Sequence, residues 1–379
     1  MDFSMAPEHE LLAETCARFA DEVLLPRARE SEEAGRLAPE VLAFLEQMGI
    51  ARLFLDKGLG GEGDPVAGVL ALMELAARDA GGLFNFGGPG PAWAVLGVLE
   101  ELGAASASET ASASGAEGAS GAEGGPGAGT PQQALAQPTG PVLVILDQEG
   151  IEGARDGLSV PWAPGEEPPG MVLAIGPTEA LVWSSGIQAE PVGAAAFEAS
   201  GGVRVSCTGR ALQVDLSPVQ AWQARAGARL WVGSVLAGIA SGALRDAIAY
   251  GRERIVFGTP VLGHQANAFE TAAAWGNLEA AKLALLVAAQ LCAEANGKGE
   301  LWPWEANNAY LGTSEAALAA TDLALGLYGG HGYMRDNLVE KYWREARMLT
   351  ELFGGADLAR EDLAEMVQVV SDPFVVPQS

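Results

Sequence analysis

Apolar residues recur at spacings of three and four from Glu8 to Leu24, through Leu11, Leu12, Cys16, Phe19, Ala20 and Val23. That period is one face of an α-helix, and Pro26 ends it. Pro39 opens a second helical pattern with Val41, Leu42, Phe44, Leu45 and Met48, and Gly49 is placed to cap its C-terminus. After the glycine-rich loop Lys57–Gly63, further helices are predicted at 65–78 and 92–103. Between 141 and 213 the pattern changes. Val142–Leu146, Met171–Ile175, Ala180–Trp183 and Val203–Ser206 are short runs separated by Gly, Pro and acidic residues, as expected of strands. Helical periods return at Ser217-Pro218, an N-cap followed by Pro at the first helical position. That helix is predicted to run to Arg254, with Val232, Val235, Leu236 and Ile239 on its buried face. Helices near 265–296, 305–329, 338–352 and 356–370 complete a bundle.

The predicted fold class is mostly α with a small β unit. An N-terminal helical domain (1–103) is followed by a low-complexity segment (104–139), a truncated β-domain (140–213) and a C-terminal four-helix-type bundle (214–379). The segment 104–139 is Ala, Ser, Gly, Glu, Pro and Thr, with Gly-Ala-Glu-Gly at 115–118 and again at 121–124. Such a stretch buries too little apolar surface to offset its ordering entropy, and it reads as a linker.

Composition narrows the function. The net charge is −27, from 22 basic and 49 acidic residues, a surface that repels nucleic acid and anionic membranes. An anionic ligand must be held locally, by a few arginines and helix N-termini. The apolar stretch Leu230–Leu244, bounded by Arg229 and Arg245, is short for a membrane span and is expected to be a buried helix. Met1-Asp2-Phe3-Ser4 has no basic leader pattern, so the expected location is the cytoplasm. Cys16, Cys207 and Cys292 are widely spaced, and His9, His264 and His331 have no metal-ligand spacing, so no metal site is expected.

The C-terminal motifs carry the chemistry. Glu253-Arg254-Ile255-Val256-Phe257-Gly258, then Pro260 and Gln265, is followed by Tyr328-Gly329-Gly330-His331-Gly332-Tyr333 and by Val339-Glu340-Lys341-Tyr342-Trp343-Arg344-Glu345-Ala346-Arg347. Read singly, Arg254 is as well explained as a helix-end charge, and the glycines as a simple turn. Together, in this order and spacing, they resemble the E-R-x-x-F-G…Q, G-G-x-G-[FY] and V-E-x-x-x-R-D-A-[RK] elements of acyl-CoA dehydrogenases. Phe19-Ala20 with Pro26, Met48-Gly49-Ile50 and Gly60-Gly61-Glu62-Gly63 are similar to landmarks of that family's N-terminal region. The resemblance implies an acyl-CoA dehydrogenase-like fold and an FAD-dependent removal of two hydrogens from an acyl-CoA thioester. It also implies that Arg254, Phe257, Gln265, Gly329 and Gly330 contact an FAD held by a neighbouring subunit. A planar guanidinium suits a diphosphate, and Gly permits close backbone approach. Arg229, on the helix that borders the acyl-CoA cavity in relatives, is assigned either to substrate binding or to structural pairing, with a solvated helix charge as the plain alternative.

Two departures follow from the same comparison. The family's catalytic Glu stands in a turn that reads Leu352-Phe353-Gly354-Gly355-Ala356 here, or on the earlier helix at the position of Ala228. Neither Gly354 nor Ala228 can accept a proton. Glu351 is the remaining candidate for an unorthodox base, with Asp357 behind it; both are more simply read as solvating the turn. The family's T-E-x-x-x-G-S-D flavin loop is also missing where 104–139 stands, and Trp183-Ser184-Ser185 is a faint echo of its W-[IV]-[ST] strand. The expectation is therefore a subunit of a heteromeric acyl-CoA dehydrogenase, without its own base, that shares FAD with a second subunit in a hetero-tetramer and passes electrons to an acceptor. The alternatives are a self-sufficient dehydrogenase and a flavin-free acyl-CoA-binding or scaffold subunit.

Overall fold

The computed structural model describes residues 5–85, 90–102, 142–146, 154–165, 167–193 and 195–369. The low-complexity stretch 104–139 lies outside the described residues.

The N-terminal unit is helical. Helix α1 (Pro7–Phe19) continues through a π-helical turn, Ala20–Leu24, into α2 (Leu25–Ala34), so Pro26 does not end the chain's helical course. Proline is tolerated there because it falls at the first turn of the new helix, where its missing N–H is not needed. Helix α3 is Pro39–Gln47, followed by Gly49 in the left-handed conformation. Helix α4 (Pro65–Asp79) starts where the Asp64 carboxylate accepts the Ala67 amide at 2.9 Å. Helix α5 covers 93–102.

The β region is fuller than four apolar runs suggested. Its strands are β1 (Val142–Leu146), β2 (Gly157–Ala163), β3 (Met171–Ile175), β4 (Glu179–Trp183), β5 (Ile187–Pro191), β6 (Val203–Thr208) and β7 (Leu212–Asp215). One sheet has the order β1-β3-β4-β7, with β1 and β3 parallel, and the other has the order β2-β6-β5. Strands β2, β5 and β7 escaped the sequence reading because their burial alternates or is shallow, and they carry no continuous apolar run. Every residue of β3 is buried. Its alternate side chains serve two cores: Met171, Leu173 and Ile175 face the helices, while Val172 and Ala174 face the second sheet.

Helix α6 (Pro218–Glu253) is the axis of the molecule. Ser217 and Gln220 close a reciprocal cap at its start, as the Ser-Pro signal predicts. Ala221, Ala224 and Ala228 lie against the sheet, and Leu230 to Ala247 form the centre of the main helical core. Gly238 and Gly242 let α4 cross closely, since a Cβ on them would meet the carbonyl oxygens of Met73 at 2.5 Å and Ala77 at 2.1 Å. A hairpin, β8 (Ile255–Val256) and β9 (Thr259–Pro260), leads to α7 (Gln265–Glu294). Then follow α8 (Leu301–Tyr328), α9 (Val339–Leu349) and α10 (Gly355–Val369). By length and composition both α6 and α7 are apolar enough to cross a membrane. The apolar window of α6 is 78% buried inside the fold, whereas that of α7 is only 33% buried. Helix α7 therefore presents uncovered apolar side chains: Phe269, Trp275, Leu283 and Val287.

Candidate functional site

Four of the five residues expected to touch a flavin converge on one groove. Arg254, Phe257, Gly329 and Gly330 line an open concavity of about 670 Å³, together with Tyr250, His264, Asn267, Tyr328 and His331. The backbone of Arg254 is fixed at both ends, its amide donating to Tyr250 O (2.9 Å) and its carbonyl accepting from Val261 N (2.8 Å). Its side chain is exposed, and no carboxylate pairs with it among the described residues. On a chain of −27 an unpaired guanidinium is a local anion site.

Phe257 and Gly258 form the two-residue tip of the β8–β9 hairpin, with φ of 54° and 79°. Positive φ at both positions matches the twist of a tight hairpin, and it is costly for Phe. The ring is 96% exposed. A large apolar side chain held in a strained conformation and offered to solvent is built to be covered by something else. Gly329 has φ 57° and ψ −133°, a region reserved for glycine, and neither Gly329 nor Gly330 has any atom within 4 Å of the place of a Cβ. Their backbone is open to the groove.

The far wall is aromatic. Tyr250 stacks on Tyr328 with ring centroids 4.0 Å apart and planes at 13°, and its hydroxyl is 2.8 Å from His331 Nδ1. Burial, with Asp246 and Tyr250 nearby, pushes the Tyr328 phenol up to about 12, so it remains a neutral donor. Sequence reasoning missed Tyr250, although it precedes Arg254 by four residues and so shares its helix face. Gln265 departs from the expectation. It is exposed at the start of α7, next to His264, but is not among the residues lining the groove.

Arg229 is corrected. It is fully buried, its Nη1 donates to both Asn307 and Asp362, and Asp362 also binds Arg225. Structural pairing through Nη1 describes it, while its Nε and Nη2 are buried with no hydrogen-bond partner among the described residues. Isolated burial would expel such a charge, which is why it is found with a carboxylate.

The interior beside the Gly354 turn is a second, separate space. Phe54, Phe84, Trp93, Trp231, Val142–Val144 and Phe353 enclose a chamber of about 60 Å³. That holds a few waters and is far too small for a tricyclic ring. Phe84 packs edge-on against Trp231 (5.1 Å) and Phe197 (5.1 Å), and Trp93 donates its indole N–H to Gly227 O at 2.9 Å. Among the described residues, no side chain lining the chamber can ionise. Glu351 is exposed outside it, and Asp357 is exposed and paired with Arg360. The Trp183 echo also fails in space. Trp183 is buried between the sheets, with its N–H on Gly209 O at 3.3 Å. Ala163, the last residue of β2, and Pro164 after it reach the chamber beside Val142, Leu143 and Val144 of β1.

Two family models match, the acyl-CoA dehydrogenase N-terminal domain over 6–95 and the C-terminal domain over 221–368, together more than half of the chain. The chain belongs to the acyl-CoA dehydrogenase family. It is 36% identical over 135 residues to the acryloyl-CoA reductase (NADH) of Anaerotignum propionicum, covering 36% of this chain and 33% of the relative. The chain thus matches about a third of the length of the curated relatives. Its fold resembles a chain in the solved structure of the electron transferring flavoprotein of Acidaminococcus fermentans, with a TM-score of 0.76, 20% identity, and coverage of 98% of this chain and 100% of that one. It also resembles a glutaryl-CoA dehydrogenase of Mycobacterium smegmatis in complex with FADH2, with a TM-score of 0.70, 17% identity, and coverage of 98% and 97%. Set against an acyl-CoA dehydrogenase's FAD, the two spaces differ. The Arg254 groove offers an exposed cation, open backbone and an aromatic wall. The inner chamber is small, and its described side chains are apolar.

Proposed function

We propose that this acyl-CoA dehydrogenase family chain is the non-catalytic subunit of a heteromeric, FAD-dependent acyl-CoA dehydrogenase. It completes the flavin site of a base-bearing partner. The observation that carries this reading is the contrast between the open Arg254 groove and a small inner chamber in which no described side chain is a proton acceptor. When bound, FAD would supply the hydride acceptor for the partner's acyl-CoA. On this chain Arg254 would hold the diphosphate, Phe257 would cover the flavin's exposed edge, and Gly329-Gly330 would admit the ligand to backbone contact. Gln265 would stand at the rim.

The uncovered apolar residues of α7 suit the second subunit, and a hetero-tetramer would bury them. Electrons would leave to a flavoprotein acceptor, a partner suggested by the electron-transferring flavoprotein structure among the similar folds. The strongly acidic surface accords with a cytoplasmic protein that avoids nucleic acid and membranes.

The test is the flavin-to-protein ratio of the co-expressed complex after gel filtration. Arg254→Ala should lower FAD occupancy at least several-fold, and Arg254→Lys less, because Lys keeps the charge but loses the planar fork. Full FAD retention in the Ala variant would reduce Arg254 to a helix-end charge. A colourless wild-type complex would favour the scaffold reading.

A further inference from the structure

Three consecutive residues, Phe353, Gly354 and Gly355, have φ of 60°, 83° and 62°. A run of left-handed conformations reverses the chain within one turn, and phenylalanine rarely adopts it. The turn is seated, not loose. A Cβ on Gly354 would lie 2.3 Å from Leu358 Cδ2 and 3.2 Å from Leu146 O, so α10 and β1 close against it. Leu352 packs against the helical core, and the half-buried Phe353 reaches further. It packs against both the helical core and the helix-facing side of the first sheet, where those two apolar clusters meet. It also forms one wall of the inner chamber, opposite Phe54, Trp93 and Trp231.

Strain of this kind persists only where the surroundings over-determine it, and it marks positions with a task. Here the ring sits in an apolar chamber whose remaining free volume is about 60 Å³.

We infer that Phe353 is a permanent intramolecular occupant of this chamber. It stands in the space of a ring-sized apolar ligand and keeps the chain from taking an apolar acyl group of its own. Specificity is thereby set by exclusion: the acyl chain of a thioester is refused here and left to the partner. The inference rests on the shared-flavin reading only for why refusal is useful. Its test uses neither flavin nor acyl-CoA, so the two can fail separately.

The test is the melting temperature of the full-length protein, with and without saturating benzene, for wild type, Phe353→Ala and Phe353→Gly. A ring-sized apolar cavity stays dry and binds such a molecule. Both variants should melt lower than wild type and recover by about 1–3 °C in benzene, and wild type should not respond. Phe353→Gly also relieves the left-handed strain, so a folded variant is available if Phe353→Ala misfolds. Near-UV circular dichroism reports which variants are packed. A packed variant with no benzene response would show that the ring holds no ligand space. An equal response in wild type would show that the chamber is already open, and either result overturns the inference.

Discussion

Arg225 and Arg229 share one carboxylate: Asp362 Oδ2 accepts Arg225 Nε at 3.0 Å and also accepts Arg229 Nη1. All three side chains are buried, and they tie α6 to α10. Asp362→Asn would leave two guanidinium groups without a counter-charge. We expect a loss of about 3–5 kcal/mol in urea unfolding, the usual effect of breaking a buried pair. Flavin bound per folded complex should not change, because the Arg254 groove is built from other residues.

A second buried cluster gives a pH signature. Lys341 lies 3.0 Å from Asp79 and also binds Glu345, and all three are fully buried or nearly so. Burial pushes the Glu345 carboxyl from 4.5 up to about 7 against the pull of Lys341, with Asp79 and Glu32 adding repulsion. Burial acts to lower Lys341, but Asp79 and Glu345 outweigh it and hold the lysine charged. The folded chain therefore keeps a proton on Glu345 that the unfolded chain releases between 4.5 and about 7. This group's contribution to stability is greatest below that window and falls as pH rises through it. Glu345→Gln cannot ionise. Its urea midpoint should change less than that of wild type between about pH 5 and about pH 8. An unchanged slope would remove Glu345 as the cause.

Restoring a carboxylate at the family's usual place should not restore a base. Gly354→Glu must adopt φ near 83° and push a Cβ into Leu358. We expect a stability loss of roughly 2 kcal/mol or more. We also expect no bleaching of flavin on adding acyl-CoA to the single chain. Acyl-CoA-dependent bleaching would revive the self-sufficient alternative.

The exposed face of α7 can be tested by charge. Leu283 is 55% exposed on the isolated chain, so Leu283→Glu should alter the chain's own melting by no more than about 0.5 kcal/mol equivalent. If a second subunit covers this face, the same change buries an unpaired carboxylate in the interface, and light scattering should show a smaller assembly.

Much of the fold was legible because it rests on local chemistry. Ser217-Pro218 starts a helix by capping, the Leu230–Leu244 stretch reads as a core helix, and Arg254 with Gly329-Gly330 could be singled out through the family resemblance of their motifs. What was not legible depends on partners distant in sequence. Arg229 stood open between substrate binding and structural pairing until Asp362 and Asn307 came up against it. Strands β2, β5 and β7 have too little apolar contrast to announce themselves, and Trp183-Ser184-Ser185, a faint echo of the family strand, lies between the two sheets. The left-handed Phe353 has no sequence signature of its own. Its cost, about 1–2 kcal/mol, is met by packing against the helical core and the first sheet that only the assembled fold supplies.

Helix α6 carries Trp231 on the chamber wall and, near its far end, Tyr250 and Arg254 in the groove. At 1.5 Å per residue Trp231 and Tyr250 are about 28 Å apart along one helix, with Arg254 capping it a turn further on. A rod that long holds each end at a fixed position while leaving the ends chemically insulated from each other. Substitutions that fill the chamber can therefore accumulate around Trp231 without displacing Tyr250 or Arg254, because the helix between them fixes both ends through its own backbone hydrogen bonds.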